Sequence, residues 1–247
     1  MLSTGVGLTA PAVVGGRGGG GGWTPASITT IKSWWGSEYA DTNPVGTVSD
    51  QGPAEADWGQ ITTTWKPALV SDVYNGLPTI RSDGVTRFMY TEDYANVLNY
   101  ASPVTLAFSL KYSSGIGTLF THGTDSSSDY LHCLVFNSGR FYLRLRVGNV
   151  TKLDYQYNST AVFTGDVQDV VFKFNGVNIK LYVDGTLIVN QNASASFSVA
   201  NGFTDWILFA QGIAQGVSNA LVDINEVFIA NEDVDNTVIA DYYSRWK

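Results

Sequence analysis

Of the side chains that carry covalent or proton-transfer chemistry, this 247-residue chain has few: one cysteine, Cys133, and two histidines, His122 and His132. A nucleophilic thiol needs a base beside it and an electropositive, partly exposed setting. Cys133 instead shares the two-residue spacing of Leu131 and Val135, the apolar side of a strand, while His132 falls on the opposite side. Cys133 therefore reads as a small core residue and His132 as a surface or packing histidine. These three groups also fall short of the four ligands of a structural zinc cage. Oxygen ligands for calcium exist in Asp125 and Asp129, within a Gly/Ser/Asp loop, and in Asp41, Asn43 and Asp50 upstream. The same residue types build ordinary turns, so calcium is an open assignment and not a required one.

Retaining glycoside hydrolysis needs two carboxyl groups about 5–5.5 Å apart, within reach of same-face residues of one strand. Asp223 and Glu226 are three residues apart, which sends them to opposite faces of a regular strand, and Glu92-Asp93 sits in a loop-like stretch. No enzyme is expected. The chain's 7 Trp and 13 Tyr suggest a different chemistry, the stacking of sugar C–H faces on aromatic rings with amide, carboxylate and guanidinium groups at the rim. Trp35, Trp58, Trp65, Tyr130, Tyr142 and Trp206 lie near expected loops and are the candidates, although a large sandwich also needs aromatics to fill it.

The elements that would position these groups are strands. Val104 to Tyr112, Thr118 to His122 and Tyr130 to Phe136 come first, with the Gly123 to Asp129 loop between the last two. In the next strand Phe141, Leu143, Leu145 and Val147 share one face and Tyr142, Arg144 and Arg146 the other, the period of a half-buried antiparallel strand. Gly148-Asn149 turns it into Val150 to Tyr157. A second series runs through Val170, Phe172 and Phe174 into Asn175-Gly176, a type I′ hairpin signal, and then through Asp184-Gly185 into Thr186 to Asn190. Trp206 to Gln211 and Leu221 to Ala230 complete the run. Residues 34–90 are aromatic, Gly/Pro-punctuated and poorly periodic, an expected loop layer with short strands such as Thr79 to Ser82. One helix is expected, with Val234, Val238, Tyr242 and Trp246 in a stripe beside Ile239 and Tyr243, acidic residues first and Arg245 and Lys247 last. It should close one end of the sandwich.

Only 15% of residues are charged, against roughly 25% in an average domain, and the net charge is −8. That balance lacks the basic footprint of nucleic-acid binding and disfavours anionic membranes. No apolar run of about 18 residues is present for membrane insertion, and the first residues do not read as an export signal. The sequons at Asn149, Asn158 and Asn192 read as turn chemistry. Residues 1–23 stand apart: Gly15, Gly16, Arg17 and the run from Gly18 to Gly22, ending at Trp23, offer too few side chains to offset their own ordering. This arm is expected to be flexible alone and to gain order by docking on a neighbour or as an intramolecular loop. Its trivial GxGxxG match neither follows a strand nor ends in Gly-Lys-Ser/Thr, so it is not a nucleotide loop.

Four segments together resemble the concanavalin A-like lectin/glucanase superfamily, and within it the LamG-like jelly rolls of bacterial extracellular and phage structural proteins. They are Trp34-Trp35 with Asp50-Gln51-Gly52 and Trp58; Gly76 to Gly84; Lys180 to Gly185; and Asp223 to Ile229 with the Tyr242-rich helix. The likeness covers residues 34–247 and leaves the arm outside. It implies an all-β jelly-roll sandwich of two antiparallel sheets, here residues 24–247, with a short C-terminal helix. The Glu-x-Asp-x-x-Glu strand of the glucanase branch is missing, and His122 and His132 lack the Gln-x-His context of jelly-roll lyases. The function expected first is therefore a non-enzymatic phage virion protein, a capsid decoration, fibre or tail component. Its arm, through Gly15, Gly16, Arg17, Gly18, Gly22 and Trp23, would hold other virion proteins, and the jelly roll would sit on the particle surface as a homo-oligomer. The alternative is a lectin or adhesin for host surface polysaccharide using Trp35, Trp58, Tyr130, Tyr142 and Trp206. A divergent glycoside hydrolase or lyase comes third.

Overall fold

The computed structural model describes residues 23–53, 57–87, 89–91, 102–123, 130–135, 139–147, 149–157, 161–194, 206–208 and 220–247. In chain order the strands are β1 (Ile31–Gly36), β2 (Thr47–Val48), β3 (Trp58–Gly59), β4 (Ala68–Tyr74), β5 (Leu77–Arg81), β6 (Met89–Thr91), β7 (Val104–Ser114) and β8 (Gly117–Gly123). They continue with β9 (Tyr130–Val135), β10 (Phe141–Val147), β11 (Val150–Tyr157), β12 (Val167–Asn175), β13 (Asn178–Val183), β14 (Thr186–Asn192), β15 (Trp206–Leu208) and β16 (Leu221–Ala230), and a single α-helix, α1 (Asn236–Tyr243), follows.

Among the described residues these strands make two eight-stranded antiparallel sheets. The first runs β14-β13-β12-β7-β16-β5-β4, with β1 also paired to β16; the second runs β11-β10-β9-β8-β15-β6-β3-β2. The expected all-β jelly-roll sandwich is what forms. Its core is the facing sides of the two sheets, filled by inward residues such as Phe108, Phe120, Phe141 and Phe172, all fully buried. Phe120 meets Phe172 edge to face with ring centroids 4.8 Å apart, a favoured aromatic geometry.

Several elements differ from their sequence reading. The region taken as a loop layer holds six strands, because β1, β4 and β5 join the first sheet while β2, β3 and β6 extend the second. Asn175 pairs with Asn178, so the hairpin turn is Gly176-Val177 with positive φ (+60°) only at Gly176, a type II′ pattern and not I′. Asp184-Gly185, with φ of +47° and +74°, is the I′ turn. α1 does not close an end of the sandwich but lies on the outer face of the first sheet. There Ile239, Tyr243 and Trp246 bury against Ala107, Val171 and Phe228, and Tyr243 Oη donates to the Ala107 carbonyl at 3.1 Å. The helix begins at an Asp235 cap, whose side chain accepts from Thr237 N at 2.7 Å. It is too short to cross a membrane, as is any helix among the described residues.

Candidate functional site

The outer face of the second sheet is where the sequence alternation becomes a site. In β10 the residues Phe141, Leu143 and Leu145 are fully buried in the core, which leaves Tyr142, Arg144 and Arg146 on the far side. The start of β10 is pinned by Gly139, whose carbonyl accepts Val162 N and Phe163 N at 2.8 and 3.1 Å. Its φ is +69° and a Cβ there would lie 2.4 Å from the Phe163 carbonyl oxygen, so only glycine fits.

Antiparallel register lines the outward side chains into rows. Thr121, His132, Arg144 and Asp154 are partners across β8, β9, β10 and β11, and Tyr130, Arg146 and Thr151 form the next row. Tyr142 and Gln156 stand beyond Arg144 on the other side. Strand spacing and the two-residue repeat make this a patch of about 14 Å in each direction. Cations lie over rings: Arg144 Cζ is 5.0 Å from the Tyr142 centroid and Arg146 Cζ is 5.8 Å from that of Tyr130. Tyr130 in turn packs against His132 with ring centroids 5.1 Å apart.

The patch is short of hydrogen-bond partners. His132 is 3% exposed and neither ring nitrogen has a partner, nor do the buried Nε groups of Arg140, Arg144 and Arg146, while the Tyr142 hydroxyl lies against Asp154 and Arg144. Arg144 reaches one carboxylate, Asp154, at 3.2 Å, and Arg146 reaches only neutral acceptors on Asn149. Burial, with Arg144 as a second cause, pulls the His132 imidazole down to about 4, so it is neutral at neutral pH. Burial pushes the Tyr142 hydroxyl up to about 12. Buried polar groups without partners are rare in folded proteins and are costly.

Two of the tryptophans expected to stack on sugars cannot do so. Trp35 and Trp58 are fully buried and face each other in the core at 6.0 Å, because Trp35 occupies the inward parity of β1. Trp34, its outward neighbour, donates from Nε1 to Glu226 at 2.6 Å. Trp206 takes its place in β15 by backbone pairing with His122 and Thr91. Trp65 is half-buried against the core. Among the sugar-contact candidates whose side chains are described, Tyr130 and Tyr142 come together on one outer face. Sequence analysis missed Arg144, Arg146 and His132 as site residues, although the Arg-Leu-Arg alternation was visible. Cys133 is fully buried, and burial pushes its thiol up, so it is an inert core residue as expected.

The carboxylates correct another expectation. A bulge between Ile224 and Glu226 inserts Asn225 opposite β7 and switches the parity of β16. Asp223 and Glu226 therefore share the outer face of the first sheet. Each is committed: Asp223 accepts Arg81 Nε and Nη2 at 2.5 and 2.7 Å and Tyr74 Oη at 2.8 Å. Glu226 accepts from Trp34, Tyr242, Trp246 and Arg245, with the shortest Arg245 contact at 2.5 Å. Burial pushes the Glu226 carboxyl up while these donors pull it down. Neither group is free to serve as a nucleophile.

Among the described residues no three His, Cys, Asp or Glu side chains group to hold a metal. Asp41 accepts Gly46 N and Thr47 N, Asn43 accepts Leu69 N, and Asp50 accepts Trp34 N and Gly52 N, so these calcium candidates brace loops. Asp125 and Asp129 lie outside the described residues, as do Gly15, Gly16, Arg17, Gly18 and Gly22. Trp23, grouped with the arm by sequence, packs against Tyr242 at 5.5 Å and Phe228 at 6.0 Å.

No protein-family model and no curated protein matches this chain. Solved structures do. Trypanosoma rangeli sialidase bound to 2,3-difluorosialic acid is similar over 87% of this chain and 33% of its own, with TM-score 0.60 and 11% identity. The binding domain of Paraclostridial Mosquitocidal Protein 1 gives TM-score 0.62 at 11% identity, over 87% of this chain and 52% of its own. The receptor binding domain of botulinum neurotoxin mosaic serotype C/D gives 0.59 at 14%, over 87% and 50%. The chain thus spans a third to a half of the structures it resembles, and what it shares with them is a lectin-like β-sandwich fold.

Proposed function

We propose that this protein is a non-catalytic glycan-binding module, and that it binds through the outer face of β9, β10 and β11. The observation that carries the reading is the pairing of two outward tyrosines with arginines held over their rings, on a face whose buried polar atoms lack partners. A sugar meets both needs, with C–H faces for Tyr130 and Tyr142 and hydroxyls for the polar groups between them. The fold supports it too: similar structures include the binding domain of Paraclostridial Mosquitocidal Protein 1 and the receptor binding domain of botulinum neurotoxin mosaic serotype C/D. The particle-surface role expected from the glycine arm rests on the sequence of residues 1–22, and a phage particle is one setting in which such a module is displayed.

The test is a glycan-array and soluble-polysaccharide screen on the full chain, with and without calcium, repeated with Tyr130→Ala and Tyr142→Ala. Saturable binding that both changes weaken while the fold is retained is the expected result. Binding unaffected by either change moves the site elsewhere, and no binding to any glycan overturns the reading.

A further inference from the structure

We infer that the ligand of this face is an acidic glycan, one whose carboxylates are read by the arginine ladder of β10; this rests on the glycan-binding reading above. Three of the chain's seven arginines, Arg140, Arg144 and Arg146, fall within seven residues of a protein whose net charge is −8. The two-residue repeat puts them on one side of the strand, spread over about 20 Å.

Their pairing differs from that of the other described arginines. Arg81 grips both oxygens of Asp223 through Nε and Nη2, and Arg245 donates from Nε and Nη2 to one oxygen, Oε2, of the fully buried Glu226. Arg87 has Asp83 at 3.6 Å. On Arg140 and along β10 every arginine Nε is shielded from solvent without a partner, and among the described residues the carboxylate beside them, Asp154, is half exposed and engages a single nitrogen of Arg144. A guanidinium is a planar fork matched to a carboxylate, and two parallel N–H···O bonds to an ionised acceptor are among the strongest pairings available. His132, 3% exposed with both nitrogens shielded from solvent, sits in the same row as Arg144 and forms the floor beneath it.

The rest of the molecule narrows the class. An overall charge of −8 repels a dense polyanion such as nucleic acid, whereas an acidic polysaccharide carries a modest charge per ring together with apolar ring faces. Tyr142 stands between Arg140 and Arg144 in sequence and Tyr130 pairs across from Arg146, so rings and guanidinium groups share one face.

The experiment measures binding of the full chain to polygalacturonate, alginate and polysialic acid, to carboxyl-reduced polygalacturonate, to neutral galactan and mannan, and to dextran sulfate. At least tenfold tighter binding to a carboxylated polymer than to its reduced or neutral counterparts is expected, weakening as salt rises from 50 to 500 mM. The Arg144→Ala/Arg146→Ala double variant should lose at least tenfold on the acidic polymer, and Arg144→Lys should lose part of it although charge is kept. Unchanged circular dichroism and melting separate these losses from misfolding. Equal binding of native and reduced polygalacturonate, or binding to neutral polymers only, overturns the acidic assignment and leaves glycan binding standing. Dextran sulfate binding as tightly as the carboxylated polymers overturns the carboxylate assignment. Absence of binding to every polymer overturns both.

Discussion

The two sheets present opposite solutions to charge on their outer faces. On the first sheet two buried carboxylates are saturated: Glu226 is gripped by Arg245, two indoles and a phenol, and Asp223 by Arg81 and Tyr74. A third, Asp169, is 2% exposed and is engaged through one oxygen only, by Lys247 at 2.9 Å, with Oδ1 unmet. On the second sheet the Nε groups of three arginines and both nitrogens of His132 are buried without partners. Both faces carry aromatics over cations, so aromatic content does not separate them. Degree of pairing does: the first face spends most of its polar groups on internal pairs, among them those that hold α1 and the C-terminal turn, and the second leaves three arginine Nε groups and both His132 nitrogens without one.

The sharpest way to break this contrast is to remove one carboxylate from the closed face. Glu226→Ala leaves Arg245 and three other donors without their shared acceptor, and losing one partner of a buried pair costs about 3–5 kcal/mol. Denaturant unfolding should show that loss, whereas Arg144→Ala on the open face should change stability by less than about 1 kcal/mol, because its exposed ion pair contributes little. Similar losses at the two positions would mean that the faces are not different in kind.

The second prediction uses pH. His132 titrates near 4 in the folded protein because burial and Arg144 disfavour its cation, while the unfolded chain titrates near the ordinary 6.5. Between those values the unfolded state holds more protons, so this contribution to stability is full above pH 6.5 and is lost as pH falls toward 4. The limiting size is about 3 kcal/mol. His132→Phe should remove it, and the difference in unfolding free energy between variant and parent should shift toward the variant by that order from pH 7 to 4. Parallel profiles would show that His132 has an unseen partner, making the open face a closed one.

Much of this was legible because strand parity is a local property. The alternation of Phe141, Leu143 and Leu145 with Tyr142, Arg144 and Arg146 gave both the inner and outer faces of β10, and the same logic placed Cys133 in the core. What failed was long-range. Trp35 and Trp58 were ranked by nearness to loops, yet their burial depends on a contact between β1 and β3 that no short-range pattern reports. The shared face of Asp223 and Glu226 depends on a one-residue bulge at Asn225, and a bulge reverses every parity argument beyond it. The missed signal at the site was charge distribution: a cluster of arginines on an acidic chain says more than their alternation alone.

A smaller effect concerns affinity. Tyr142→Ala removes the ring under Arg144 and one stacking surface, and a loss near tenfold in glycan affinity, about 1.4 kcal/mol, should be read by calorimetry. A matched Tyr182→Ala on the first sheet, which removes a ring lying 5.4 Å under Lys173, should leave binding unchanged. Loss of affinity from both would detach binding from the open face.

The smallest effect is the most discriminating, because it runs in the opposite direction to damage. Asp154 is the carboxylate already beside Arg144, and its side chain is 51% exposed, so it acts as a weak internal competitor for any carboxylate that approaches from solvent. Asp154→Asn removes one negative charge from the rim and frees Arg144, at a stability cost of about 0.5 kcal/mol at most, in keeping with an exposed pair. Affinity for an acidic polymer should rise about two- to fivefold, which corresponds to about 0.4–1 kcal/mol, and affinity for a neutral polymer should not move. A gain on the acidic polymer alone can come only from electrostatics at this face, since a repacked or loosened sheet would weaken both ligands together.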